Sequence, residues 1–134
     1  MAVWGDSAIV AVGNSITVTY LGQEGVAVAE SERKKRVYLS DVVEGFLVEN
    51  DVLVGFSTSC LFQYNLETLE LTRSVVFEGI GGLKSLDSTH FVGWVYRQNK
   101  TALLVFEVSS LAVTSSAVLE THLHALWFQN INKT

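Results

Sequence analysis

Proline is absent from all 134 residues, and cysteine occurs once, at Cys60. A lone cysteine excludes an internal disulfide framework and fits a reducing compartment, so an intracellular protein is expected. The absence of proline suits a strand-rich chain, because proline is confined to sheet edges and bulges. Charge is also scarce: 17% of residues are Asp, Glu, Lys or Arg, against about a quarter in ordinary soluble domains, while 49% are hydrophobic. Either many strands are buried on both faces, or part of the surface expects a partner. No uninterrupted apolar run reaches the roughly 18 residues of a membrane span. The opening MAVWGDSAIVAVG lacks a basic segment and carries Asp6, so a secretory signal is not expected. The net charge of −5 argues against nucleic acid as a ligand, since phosphate binding relies on Lys and Arg.

What the sequence does contain is short β-rich runs separated by turn signals. Such runs are expected at Ser7–Gly13, Ile16–Leu21, Val26–Ala29, Val37–Leu39, Val43–Val48, Val52–Ser57, Leu61–Leu66 and Glu70–Phe77. After the glycines at 79, 81 and 82 they resume at Leu83–Leu86, Phe91–Tyr96, Ala102–Val108, Ala112–Leu119 and Ala125–Gln129. The best helix candidate, Ser40–Phe46, is too short to shape the fold. Runs of this length, rich in Val, Thr, Phe and Tyr, define an all-β chain: sandwich, barrel or propeller.

An internal echo selects among these. Tyr64–Thr72, YNLETLELT, returns as Phe106–Thr114, FEVSSLAVT, with apolar residues in register, and Val54-Gly55-Phe56 returns as Val92-Gly93-Trp94. Val10-Ala11-Val12-Gly13 aligns with Val52–Gly55 and with His90–Gly93, which places the glycines 42 and then 38 residues apart. A period near 40 holding four strands is that of a propeller blade. The downstream echo is offset by 42 residues and the upstream one by 38, and a four-residue insertion in the hairpin loop Arg97–Thr101 accounts for the difference.

At this point the residues resemble divergent WD40-like propeller repeats. Asn65-Leu66-Glu67-Thr68-Leu69-Glu70 looks like that family's turn between the third and fourth strands of a blade, and Tyr64 and Phe106 stand where its Trp would be. The Trp-Asp and Gly-His dipeptides are missing. The resemblance implies an all-β fold of blades, each a four-stranded antiparallel sheet. In a single all-β unit 1–134 the blades would run 1–42, 43–79 and 80–120, with 121–134 starting another. Propellers close with about four to eight blades, so the ring is expected to be incomplete within this chain. A protein partner, a second copy or further polypeptide would complete it.

The candidate chemical groups are sparse. Glu30–Arg36, ESERKKR, sets Arg33, Lys34, Lys35 and Arg36 in a row, read either as a nuclear-localisation or acidic-partner patch or as a solvated loop. His122 and His124 would share a strand face, yet no third ligand stands near them, so no metal site is expected. Cys60 has no base beside it in sequence and reads as a small buried residue. Asn99-Lys100-Thr101 and Asn132-Lys133-Thr134 match the glycosylation pattern by chance. Gly79-Ile80-Gly81-Gly82 lacks the Lys-Ser/Thr of a phosphate loop and is expected to mark a turn between blades. Asp6, Asp41, Asp51 and Asp87 sit at turns, where turn chemistry explains them. Trp4, Trp127 and Phe128, together with the basic run, are the candidate partner contacts, because aromatics anchor interfaces. The expectation is a non-enzymatic interaction scaffold with no cofactor. A small β-barrel binding an apolar ligand, and an enzyme with an unrecognised site, are the alternatives.

Overall fold

The computed structural model describes residues 1–21, 34–97 and 99–119. These residues form twelve strands and no helix. The strands make three separate four-stranded antiparallel sheets, each a meander in which neighbours in sequence are neighbours in space. Sheet 1 holds β1 (Ala2–Trp4), β2 (Ser7–Val12), β3 (Ser15–Tyr20) and β4 (Lys34–Tyr38). Sheet 2 holds β5 (Gly45–Glu49), β6 (Val52–Phe56), β7 (Cys60–Asn65) and β8 (Glu70–Val76). Sheet 3 holds β9 (Ile80–Ser85), β10 (His90–Arg97), β11 (Lys100–Glu107) and β12 (Val113–Leu119). Among the described residues no sheet closes into a barrel, so the apolar-ligand barrel is excluded as the architecture. The chain divides into two compact units, Met1–Glu78 and Gly79–Thr134.

In the first unit, sheets 1 and 2 share one core. Ile9, Ile16 and Val18 of sheet 1 pack with Leu53, Phe62, Tyr64 and Leu66 of sheet 2, and the first strands β1 and β5 approach each other. The period-2 pleat explains the choice of residues. In sheet 1, Ala2, Ile9 and Val18 lie in one cross-strand row, and Ile9 is fully buried while its neighbour Val10 is not. Strand β6 is different: Leu53, Val54, Gly55 and Phe56 are all buried. An uninterrupted apolar strand is what burial on both faces requires. Outer strands invert this pattern, with β8 exposed at most positions.

Close packing dictates two of the glycines. A Cβ on Gly55 would lie 2.5 Å from Phe62 Cε2, and one on Gly82 would lie 2.0 Å from Trp94 Cζ2. In each case an aromatic ring from the paired position on the neighbouring strand covers the bare backbone. The three glycines near 80 therefore do not form a turn, contrary to expectation. Gly79, at φ +85°, leads into β9, and Gly81 and Gly82 are strand residues beneath the Trp94 indole.

The structure corrects other parts of the sequence reading. The segment 40–46 forms no helix; it bends at Ser40–Asp41 and enters β5 at Gly45. Strand β1 was not expected, because three residues carry no readable period; its pairing with β2 creates it. The extra residues of the third sheet are not loop. Val95–Arg97 pair with Lys100–Ala102, so they lengthen the β10–β11 hairpin as strand. Gly13 is also not the counterpart of Gly55 and Gly93. It occupies the β2–β3 turn at φ +58°, whereas the other two lie mid-strand. The ladders end at Ser7↔Tyr20, Val52↔Asn65 and His90↔Glu107. Each ladder is followed by one further bond from N–H to carbonyl: Leu21 to Asp6, Leu66 to Asp51 and Val108 to Thr89. The first two sheets are thus related by 45 positions, from 7 to 52 and from 20 to 65. The expected strands at Val26–Ala29 and Ala125–Gln129 lie outside the described residues.

Candidate interaction surfaces

The turns at one end of each sheet carry most of the organised polar chemistry. In sheet 2 the Asn65 side chain accepts the N–H groups of Glu67 (2.8 Å) and Thr68 (3.2 Å), an Asx-type turn that starts the β7–β8 connection. Leu69 closes it at φ +57°, donating its N–H to the Asn65 carbonyl at 2.7 Å. The β11–β12 turn repeats this design with different side chains. Leu111 stands at φ +60° and donates to the Glu107 carbonyl at 2.8 Å, while Ser109 and Ser110 each donate to Glu107 Oε1 at 2.9 Å. A leucine in the left-handed region is uncommon. It persists at 111 because the side chain is buried there, 4% exposed. This pair of turns is the physical content of the echo, and the expected turn at Asn65–Glu70 is where the sequence placed it.

Two of the turn aspartates, Asp87 and Asp41, accept local hydrogen bonds. Asp87 Oδ1 accepts the Thr89 N–H, the Thr89 hydroxyl and the His90 N–H, each at 2.8 Å. The Thr89 bonds, with help from His90, hold the Asp87 carboxyl below the usual carboxylate range. The hydroxyls of Ser110 and Ser109, and secondarily the charge of His90, lower Glu107 in the same way. His90 Nδ1 lies 2.7 Å from Thr89 Oγ1 and 3.5 Å from Asp87 Oδ1. Asp41 accepts the Val42 N–H at 2.8 Å and lies 3.4 Å from the Thr58 hydroxyl and 3.5 Å from that of Ser59. Cys60 is half-buried, its Sγ 3.3 Å from the hydroxyl of the buried Ser57. Burial pushes the Tyr64 phenol up. Among the described residues no three His, Cys, Asp or Glu side chains group as metal ligands would.

The expected partner contacts fall into three sets. Trp4 lies on β1, and its indole N–H donates to Asp51 Oδ1 at 3.0 Å, tying the edge of sheet 1 to the β5–β6 turn of sheet 2. Trp4 is half-buried within the unit. Lys34, Lys35 and Arg36 form no loop. They belong to β4, where Lys34 pairs with Thr19 and Arg36 with Thr17, and all three are exposed. Long charged side chains on an edge strand suit that position, because they discourage edge-to-edge pairing. Arg33, Trp127 and Phe128, with His122 and His124, lie outside the described residues.

One surface was not read from the sequence: the face of sheet 1 that points away from sheet 2. Three cross-strand rows build it, Val3–Ala8–Thr19–Lys34, Val10–Thr17–Arg36 and Val12–Ser15–Tyr38. Val3 and Val12 are each 70% exposed and Val10 38%. The face grades from valines on β1 and β2, through hydroxyls on β3, to cations and Tyr38 on β4. The Arg36 Nε donates to Thr17 Oγ1 at 3.0 Å, and no described carboxylate pairs with Lys34 or Arg36. The alternation that marks this face was present in SAIVAV, but the segment offered no means of telling that its second face would stay uncovered.

No family model matches the chain, and no curated protein matches it. Solved structures do. Apo AztD from Citrobacter koseri superposes with a TM-score of 0.63 at 17% identity, over 81% of this chain and 30% of that one. The β-propeller domain of the Trilobed protease from Pyrococcus furiosus gives 0.61 at 12% identity, over 87% of this chain and 40% of that one. A chain of the S. cerevisiae assembly of Dbp5 bound to Nup159, Gle1, IP6 and ADP gives 0.61 at 12% identity, over 92% of this chain and 31% of that one. This chain thus spans between 30% and 40% of the length of these three structures. At these identities the likeness is one of fold, and the fold is the β-propeller: the described residues form three four-stranded blades, fewer than a closed ring contains.

Proposed function

We propose that this chain is a non-enzymatic protein-interaction scaffold, a propeller-like subunit or fragment of a larger intracellular assembly. One observation supports the reading above the others. The described residues supply three blades, and the face of the first blade turned away from its neighbour carries three exposed valines. A sheet face of that composition favours cover by another surface. The turn carboxylates at Asp87 and Glu107 are held by neighbouring donors, which favours a structural over a catalytic role for them. The structure of Dbp5 bound to Nup159 and Gle1 offers an example of a propeller-like chain within a protein assembly, and the intracellular setting is in keeping with the single cysteine. Among the described residues no helix is long and apolar enough to cross a membrane. The test is native mass spectrometry of the protein isolated gently from its own cells. A stable complex of fixed stoichiometry with other protein is expected. A monodisperse, stable monomer would refute the proposal.

A further inference from the structure

We infer that the open face of sheet 1 is the seat of a blade from a different protein, one whose inner strands are apolar and whose outer strand is acidic. This deepens the scaffold reading and rests on it. The geometry is already present once in the unit, since the opposite face of the same sheet is covered by sheet 2, with first strand against first strand. A second sheet stacked in the same manner would lay its inner strands on Val3, Val10 and Val12 and its outer strand on Lys34 and Arg36. The valines ask for apolar cover. The two cations ask for carboxylates, because burying a charge against an unmatched surface costs more than the apolar contact returns.

The charge pattern also discriminates among occupants. A second copy of this chain offers the outer strands β8, ELTRSVV, and β12, VTSSAVL. Together they hold a single carboxylate, Glu70, and β8 adds a cation of its own, Arg73. Neither complements Lys34 and Arg36. The acidic strand comes from elsewhere.

The experiment places a photoreactive benzoylphenylalanine at Val10 in the full-length protein, made in its native cells, and sequences the cross-linked peptides. Cross-links to one other protein are expected, on segments of alternating apolar residues adjoining a strand that carries Asp or Glu. The charge-reversed variant K34E/R36E should lower the yield of that cross-link at least about tenfold, whereas K34R/R36K should keep it. Far-UV circular dichroism confirms that each variant is folded; both positions are exposed, so folding is expected to survive. Cross-links to a second copy, to another segment of the same polypeptide, to lipid or to a helical segment would overturn the inference, as would a yield indifferent to charge reversal. Cross-linking to a protein of the wrong chemistry refutes this inference alone. Absence of any intermolecular product, in a protein that is monomeric by native mass, refutes the scaffold reading with it.

Discussion

Replacing Gly55 by alanine puts the packing argument to a quantitative trial. Its new methyl would sit 2.5 Å and 2.6 Å from Phe62 Cε2 and Cζ, and 3.2 Å from the Gly45 carbonyl oxygen. Ordinary carbon–carbon contact is about 3.5–4.0 Å, so the ring must retreat by roughly 1 Å. It has little room: Phe62 is 3% exposed, set in the shared core, and meets Tyr64 edge to face at 5.8 Å. Overpacking of this kind costs about 1–3 kcal/mol. Loss of glycine's backbone freedom in the unfolded chain offsets some 0.5–1 kcal/mol of it. The net expectation is a destabilisation of about 1–2 kcal/mol, read as a lower urea midpoint at unchanged slope. The second arm is the double variant G55A/F62L. A leucine is shorter where the methyl intrudes, so the pair should be less destabilised than the two single changes summed, by about 1 kcal/mol or more. Gly13→Ala serves as the contrast, since nothing lies within 4 Å of its Cβ and its cost of about 1–2 kcal/mol is backbone strain at φ +58°. Additive effects at 55 and 62, or a Gly55→Ala protein as stable as the parent, would refute the claim that the ring and the glycine are one device.

Three further outcomes follow from the turns. Asn65→Ala removes the acceptor for two turn N–H groups at 2.8 and 3.2 Å and should cost about 0.5–2 kcal/mol by denaturant titration. Trp4→Phe keeps most of the ring but loses the bond to Asp51, and a cost of about 1 kcal/mol is expected, absent in an Asp51→Ala background. Acid should loosen sheet 3 through Asp87 and Glu107. Both carboxyls are lowered in the folded chain, so their contribution is present above their unfolded-state values and is lost as pH falls through the folded ones. Thermal midpoints measured on the acid side of the carboxylate range should fall less steeply in D87N/E107Q than in the parent; identical slopes would contradict the assignment.

The parts of the fold legible in the sequence are those set by local pattern. The strands from Val52 to Val76 and from Phe91 to Leu119 carry dense β-branched and aromatic runs between turn residues, and the Asn65 turn has a side chain that builds it. The Leu69 and Leu111 turns echo because one left-handed backbone conformation is repeated and the side chain there is at least partly buried, which keeps an apolar residue at the same place. What stayed hidden depends on partners across space. Strand β1 exists because β2 lies beside it, and Lys34–Arg36 extend as strand because Thr17 and Thr19 supply a ladder. The Gly81-Gly82 pair reads as a turn until Trp94 is known to cover it. The lengthened β10–β11 hairpin shows the limit of assigning insertions to loops: a turn can move outward when the added residues pair with each other. Of the candidate site, the basic residues were legible but their setting was not. Their meaning came from the rows that join Lys34 to Val3 and Arg36 to Val10.

The central claim is that three blades of a β-propeller are supplied here and that the first blade's outer face is covered by another protein. A cryo-electron microscopy map of the assembly purified through this chain measures it directly. The account predicts a ring of about four to eight blades in which a foreign sheet lies on Val3, Val10 and Val12 with carboxylates beside Lys34 and Arg36. A map in which those valines face solvent, with the partner bound elsewhere, would contradict it.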